Sequence, residues 1–113
     1  VDGSSSPAYF GRLTAADNGT VFYGRVTCVE VPDGGDEDID FYQATESTGV
    51  PDAVAASTLT EDQLTNTGDW TLSEVLPLVV PGADKYLYMV AGNSEVGVYS
   101  TGRFLIELWG YAA

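Results

Sequence analysis

The chain has 113 residues, with seventeen Asp and Glu against four Lys and Arg, one cysteine, no histidine and a net charge of -13 at pH 7. The lack of histidine removes Ser-His-Asp and Cys-His catalysis and imidazole metal ligation, and the negative charge argues against nucleic-acid phosphates as partners. A lone Cys28 rules out an internal disulfide framework, and no apolar run approaches the roughly eighteen residues of a membrane-spanning helix.

The length fits one domain, and 44% hydrophobic residues suffice for a real core despite the charge. Residues 1–7, Val-Asp-Gly-Ser-Ser-Ser-Pro, read as a flexible arm without the basic, apolar and small-residue progression of a signal peptide. The single β domain then runs over 8–113.

Residues 8–15 and 20–31 are rich in Tyr, Phe, Val and Thr and read as two strands joined at Asp17-Asn18-Gly19. Asn-Gly between such runs predicts a hairpin, because a type I′ turn needs positive φ at both central positions. Asn18-Gly19-Thr20 also matches the N-glycosylation pattern. The two arms carry near-copies, Tyr9-Phe10-Gly11-Arg12-Leu13-Thr14 and Phe22-Tyr23-Gly24-Arg25-Val26-Thr27. In a two-residue hairpin Arg12 faces Arg25, an unfavourable pair unless a carboxylate lies between them. That carboxylate belongs either to this chain or to a partner, since guanidinium forks match carboxylates. Arg103 follows a glycine in the same way.

Six carboxylates and no base occupy 30–40: Glu30, Asp33, Asp36, Glu37, Asp38 and Asp40. The spacing of Asp36, Asp38 and Asp40 begins like a calcium loop, then departs from it, with Phe41 where glycine is needed and Ser47 where the bidentate Glu belongs. The segment reads as a solvated, self-repelling loop, with calcium at those three residues as the sharper alternative.

Residues 38–44 return to strand texture, with Ile39, Phe41 and Gln43 on one face, and 45–57 are small, polar and irregular. A short helix is predicted near 61–66. Thr60 and Gln63 make a capping box, Leu59 and Leu64 a hydrophobic staple, and Gly68 a stop. Four further strands follow at 70–80, 85–91, 95–100 and 103–111, divided by Pro81-Gly82, Gly92-Asn93 and Thr101-Gly102. The whole predicts an all-β fold, an antiparallel sandwich or jelly-roll-like barrel. The last strand is apolar on both faces: Phe104, Ile106 and Leu108 on one, Leu105, Trp109 and Tyr111 on the other, with Glu107 among them. Such a strand is central in a sheet stack or pressed against another subunit.

An enzyme would have to rest on paired carboxylates, Glu107 with Glu74 or Asp69, beside Trp70 and Trp109 as sugar platforms. No complete acid/base constellation can be assembled, and Cys28 in Val-Thr-Cys-Val reads as core, so the expectation is a protein that is not an enzyme.

Gly102-Arg103-Phe104-Leu105-Ile106-Glu107-Leu108-Trp109-Gly110-Tyr111, after its turn-rich strands, resembles small β-structured accessory proteins of tailed phages: capsid decoration (cement) proteins and related head or tail modules. The resemblance implies a virion structural protein on the outer capsid surface, often a homo-oligomer, that binds the major capsid protein or other virion subunits and stabilises the shell. Outward acidity agrees with such a position. Interface residues would be Arg12, Arg25, Arg103, Trp109 and Tyr111. The alternative is an extracellular carbohydrate- or calcium-binding β-sandwich using Trp70, Trp109 and the 30–40 loop.

Overall fold

The computed structural model describes residues 9–35, 37–48, 61–65, 68–91 and 99–112. Their elements are β1 (Gly11–Leu13), α1 (Ala15–Asn18), β2 (Thr20–Asp33), β3 (Ile39–Ala44), β4 (Glu61–Gln63), β5 (Val75–Pro77), β6 (Lys85–Ala91) and β7 (Thr101–Tyr111). The predicted arm, 1–7, lies outside the described residues, as does nearly all of the strand expected at 95–100.

Alternation organises the middle of the longest strand. Gly24, Val26 and Cys28 of β2 point inward and are buried, while Tyr23, Arg25 and Thr27 point outward. β7 does the same with Phe104, Ile106 and Leu108 inward and Leu105, Glu107 and Trp109 outward, which is the period-2 signature of a half-buried sheet. The fold is all-β. One sheet has strand order β1-β6-β3-β4, the other β5-β2-β7, and every pairing is antiparallel.

The inward rows of both sheets meet in one core of Leu13, Val26, Cys28, Ile39, Phe41, Leu64, Trp70, Leu78 and Leu87. Trp70 is 1% exposed. Its ring meets Phe41 and Phe104 edge-on at 6.2 and 5.1 Å, and its indole N–H donates to the Ile39 carbonyl at 2.6 Å. One tryptophan thereby joins β3 of the first sheet to β7 of the second.

The two strands expected to form a hairpin are in different sheets. β1 pairs with β6, placing Arg12 opposite Tyr86, whereas β2 pairs with β5 and β7, placing Arg25 opposite Pro77 and Glu107. Thr14 is the cause. Its hydroxyl accepts from the Asp17 amide at 3.1 Å and donates to the Asp17 carboxylate at 3.0 Å, while Asn18 Oδ1 accepts from the Thr14 amide at 2.9 Å. These bonds close a helical turn, α1, that Gly19 terminates with φ 63°. Asn18-Gly19 is thus a helix exit that passes the chain from one sheet to the other.

The helix predicted near 61–66 is not formed. Glu61, Asp62 and Gln63 pair as a strand with Ala44, Gln43 and Tyr42 of β3. Leu64 N–H then donates to the Phe41 carbonyl, and Thr65 Oγ1 accepts from the Phe41 amide. Six residues make a marginal helix in water, so a sheet ladder and the burial of Leu64 prevail over the local capping signal. Thr60, the proposed cap, lies outside the described residues. Strand structure in 70–80 is confined to β5. Residues 71–74 make a tight turn in which Ser73 has φ 67°, and Leu78 folds back onto Gly24.

The two glycines of the near-repeat have different duties. A Cβ at Gly24 would stand 2.8 Å from Leu108 Cδ2 and 3.3 Å from Leu78 Cδ1, whereas one at Gly11 would meet nothing within 4 Å. Gly24→Ala is therefore expected to lower unfolding stability by about 1–3 kcal/mol through overpacking, and Gly11→Ala to leave it within about 0.5 kcal/mol, as read by urea denaturation.

Candidate adhesion surface

The outward face of β5-β2-β7 has no covering element among the described residues. Its rows, read across β2 and β7, are Thr20 with Tyr111, Tyr23 with Trp109, Arg25 with Glu107, Thr27 with Leu105, and Glu30 with Arg103. β5 adds Val75 and Pro77. At three places β2 has one residue more than β7 between paired positions: between Val21 and Tyr23, between Cys28 and Glu30, and between Glu30 and Asp33. The first of these bulges leaves Phe22 exposed beside Tyr23, and the second turns Glu30 to the outward side next to exposed Val29. The surface accordingly shows Phe22, Tyr23, Val29, Val75, Leu105 and Tyr111, with Tyr111 62% exposed.

The aromatic groups are ordered. Phe22 lies nearly parallel to Tyr111 with centroids 6.4 Å apart, and Tyr23 is tilted against Trp109 at 5.2 Å. Arg25 Nε donates to Glu107 Oε1 at 2.9 Å, and its guanidinium lies 5.1 Å from the Trp109 ring centroid. The hydrogen bond and charge of Glu107 hold Arg25 protonated above its already high range. The carboxylate expected to balance an arginine pair is thus found in the chain, facing Arg25 alone. Arg12 is on the other sheet, with its guanidinium 5.0 Å from the Tyr86 ring centroid. Arg103 is exposed on β7 and has no ion-pair partner among the described residues.

Of the five predicted interface residues, Arg25, Arg103, Trp109 and Tyr111 share this face and Arg12 does not. Phe22 was missed as a surface group, whereas the sequence places Leu105 on the same strand face as Trp109 and Tyr111. A period-2 reading assigns Phe22 the same face as Gly24 and Val26, and only the bulge reverses it. Trp70 cannot serve as a sugar platform, being buried in the core.

The strands of this sheet hold two of the four basic residues, Arg25 and Arg103, and three of the seventeen acidic ones, Glu30, Asp33 and Glu107. Their net charge is -1, so the excess negative charge of the chain resides elsewhere. A nearly neutral aromatic face on a strongly acidic protein can meet another surface without the repulsion the rest of the molecule imposes.

Other chemistry is less well provided. Glu107 is neutralised by Arg25. Glu74 Oε1 accepts from the Thr71 amide and hydroxyl at 3.0 and 3.3 Å, fastening its own turn. Of the residues proposed for calcium, Asp40 is buried in β3, and Asp36 lies outside the described residues. No group of three or more Asp, Glu, His or Cys able to hold a metal occurs among the described residues. An open apolar cleft of about 380 Å³ separates Ile39 and Met89 of the first sheet from Phe104 and Ile106 of the second.

Cys28 is fully buried, and burial, followed by the charge of Glu74, pushes its thiol up. The folded state thus holds the proton more tightly than the unfolded chain. This contribution to stability is lost as pH rises past the ordinary thiol pKa of about 8.5. Alkylation of Cys28 at that pH is expected to run at least about tenfold slower in native protein than in urea, measured by mass spectrometry.

No family model, no curated protein and no solved structure matches the chain.

Proposed function

We propose that this protein is a non-enzymatic structural subunit that works by adhesion, and that it decorates a viral capsid by binding the major capsid protein from outside. The observation that carries the adhesive role is the near-neutral outward face of β5-β2-β7, where Phe22, Tyr23, Leu105, Trp109 and Tyr111 are presented on a rigid sheet. Contiguous exposed apolar surface of this kind marks interaction sites, and Trp, Tyr and Arg dominate the energetics of such contacts. Sheet strands hold these side chains without the ordering cost of a loop. The capsid as the partner is suggested by the resemblance of residues 102–111 to tailed-phage accessory proteins and by the acidity of the remaining surface.

The test is co-sedimentation with shells assembled from the major capsid protein of the same genome. Wild-type protein is expected to travel with the shells, and the double variant Trp109→Ser and Tyr111→Ser to bind at least about tenfold more weakly. Absence of wild-type binding would reject the capsid role. The second reading, a carbohydrate-binding module, is favoured by one observation, the exposure of Trp109 beside Tyr23. Retention on a polysaccharide column, abolished by the same substitutions, would establish it in place of the first.

A further inference from the structure

Among the described residues, the two sheets present four outer strands. Three of these, β1, β4 and β5, are three residues long, and β5 ends in Pro77. The fourth, β7, runs eleven residues. Short strands and proline are the ordinary protections of a sheet edge. β7 has neither of these, nor a lysine, and the extra residues of its ladder all lie in β2. No described residue takes a backbone hydrogen bond on its outer side. Among the described residues, an edge about 35 Å long, at about 3.3 Å per residue, has no strand beside it.

We infer that the occupant of this edge is β7 of a second copy of the chain, antiparallel about a two-fold axis through Leu105. The inference rests on the reading of the protein as an assembling subunit and names the contact between copies. Charge selects both partner and register. β7 is self-complementary, since it carries both Arg103 and, four residues on, Glu107. In a two-fold pair centred on Leu105, Arg103 of each copy faces Glu107 of the other, and the two Leu105 side chains meet at the axis. Glu107 keeps Arg25 through Oε1 and, having two oxygens, can accept from both guanidinium groups. Shifting the centre by two residues puts Arg103 opposite its own copy or Glu107 opposite its own copy, each a like-charge contact. The pairing joins two three-stranded sheets into one of six and places the two aromatic faces side by side. The adhesive surface is thereby doubled without burying Trp109 or Tyr111. The valence gained raises avidity for any repeating lattice.

Cysteine cross-linking tests the register. On the axis, the two Leu105 positions have Cα atoms about 4.5–5.5 Å apart, within disulfide reach, whereas the two Arg103 positions are about 14 Å apart. Under mild oxidation Leu105→Cys is expected to give a covalent dimer and Arg103→Cys none. Buried Cys28 does not compete. Native mass by light scattering, at about 0.15 M salt to screen repulsion between the acidic copies, is expected to be twice the chain mass. Arg103→Glu should weaken the dimer at least about tenfold. A monomer at about 100 μM, or equal cross-linking at both positions, would overturn the inference. The capsid reading fails separately. A monomer that still sediments with shells sinks only the edge pairing, and a dimer that ignores shells sinks only the capsid role.

Discussion

Replacing Trp70 with Ala is expected to remove about 3–5 kcal/mol of unfolding stability, a large part of the 5–15 kcal/mol typical of a domain this size. The reason is position as much as size. The ring is in edge-to-face contact with Phe41 of β3 and with Phe104 of β7, so its loss opens a void where the two sheets meet. The indole N–H also supplies the Ile39 carbonyl, which would be left unpaired at the start of β3. Trp70→Phe separates the two effects. It restores most of the packing and leaves the carbonyl unmet, so a loss of about 1–3 kcal/mol is expected. Urea denaturation followed by fluorescence of the remaining Trp109 measures both. A loss below about 1 kcal/mol for Trp70→Ala would mean that the sheets are held together elsewhere.

What the sequence disclosed and what it withheld divide along a physical line. Alternation over 20–31, 85–91 and 103–111 reports which residues can face a core, and strands β2, β6 and β7 stand there. The same alternation names no partner. Arg12 and Arg25 sit in near-identical hexapeptides and lie in different sheets, because one helical turn between them redirects the chain. The capping bonds from Thr14 to Asp17 that make this turn were readable as Thr-x-x-Asp, but Asn-Gly satisfies a hairpin turn and a helix exit equally well. At 61–66 the opposite error arises. A capping pattern is real local information, yet the ladder to Ala44, Gln43 and Tyr42 belongs to the tertiary structure. The adhesive face was half legible. Trp109, Tyr111 and Arg103 follow from the period of β7 and Val29 from that of β2, whereas Phe22 reaches the surface through a bulge in β2 that leaves no mark in composition. Which of the two tryptophans is buried was likewise settled by sheet packing, with Trp70 taken by the core and Trp109 left beside Arg25.

Gly19 makes the second large prediction, and it concerns how that redirected chain is locked. With φ 63° and ψ -142° Gly19 sits in a positive-φ region that a side-chain-bearing residue enters only at a cost of about 1–3 kcal/mol. A Cβ there would also overlap the backbone carbonyl of Tyr111, at the far end of the sequence. Gly110 mirrors it: a Cβ would overlap the Thr20 carbonyl. The two glycines therefore let the first residues of β2 and the last residues of β7 approach at one juncture, through the pairs Thr20 with Tyr111 and Val21 with Gly110. Gly19→Ala is expected to cost about 3 kcal/mol, strain and backbone displacement together, and Gly110→Ala about 2 kcal/mol. Because both substitutions open the same contact, the double variant should cost less than the two separately, by about 1 kcal/mol. Full additivity in urea denaturation would show that the two glycines act independently. The consequence reaches beyond stability. Tyr111 and Phe22 stack across this juncture, so Gly110→Ala should also weaken adhesion through the outward face, whereas Gly24→Ala, which disturbs only the inner side of the sheet, should leave adhesion unchanged at temperatures where the variant stays folded.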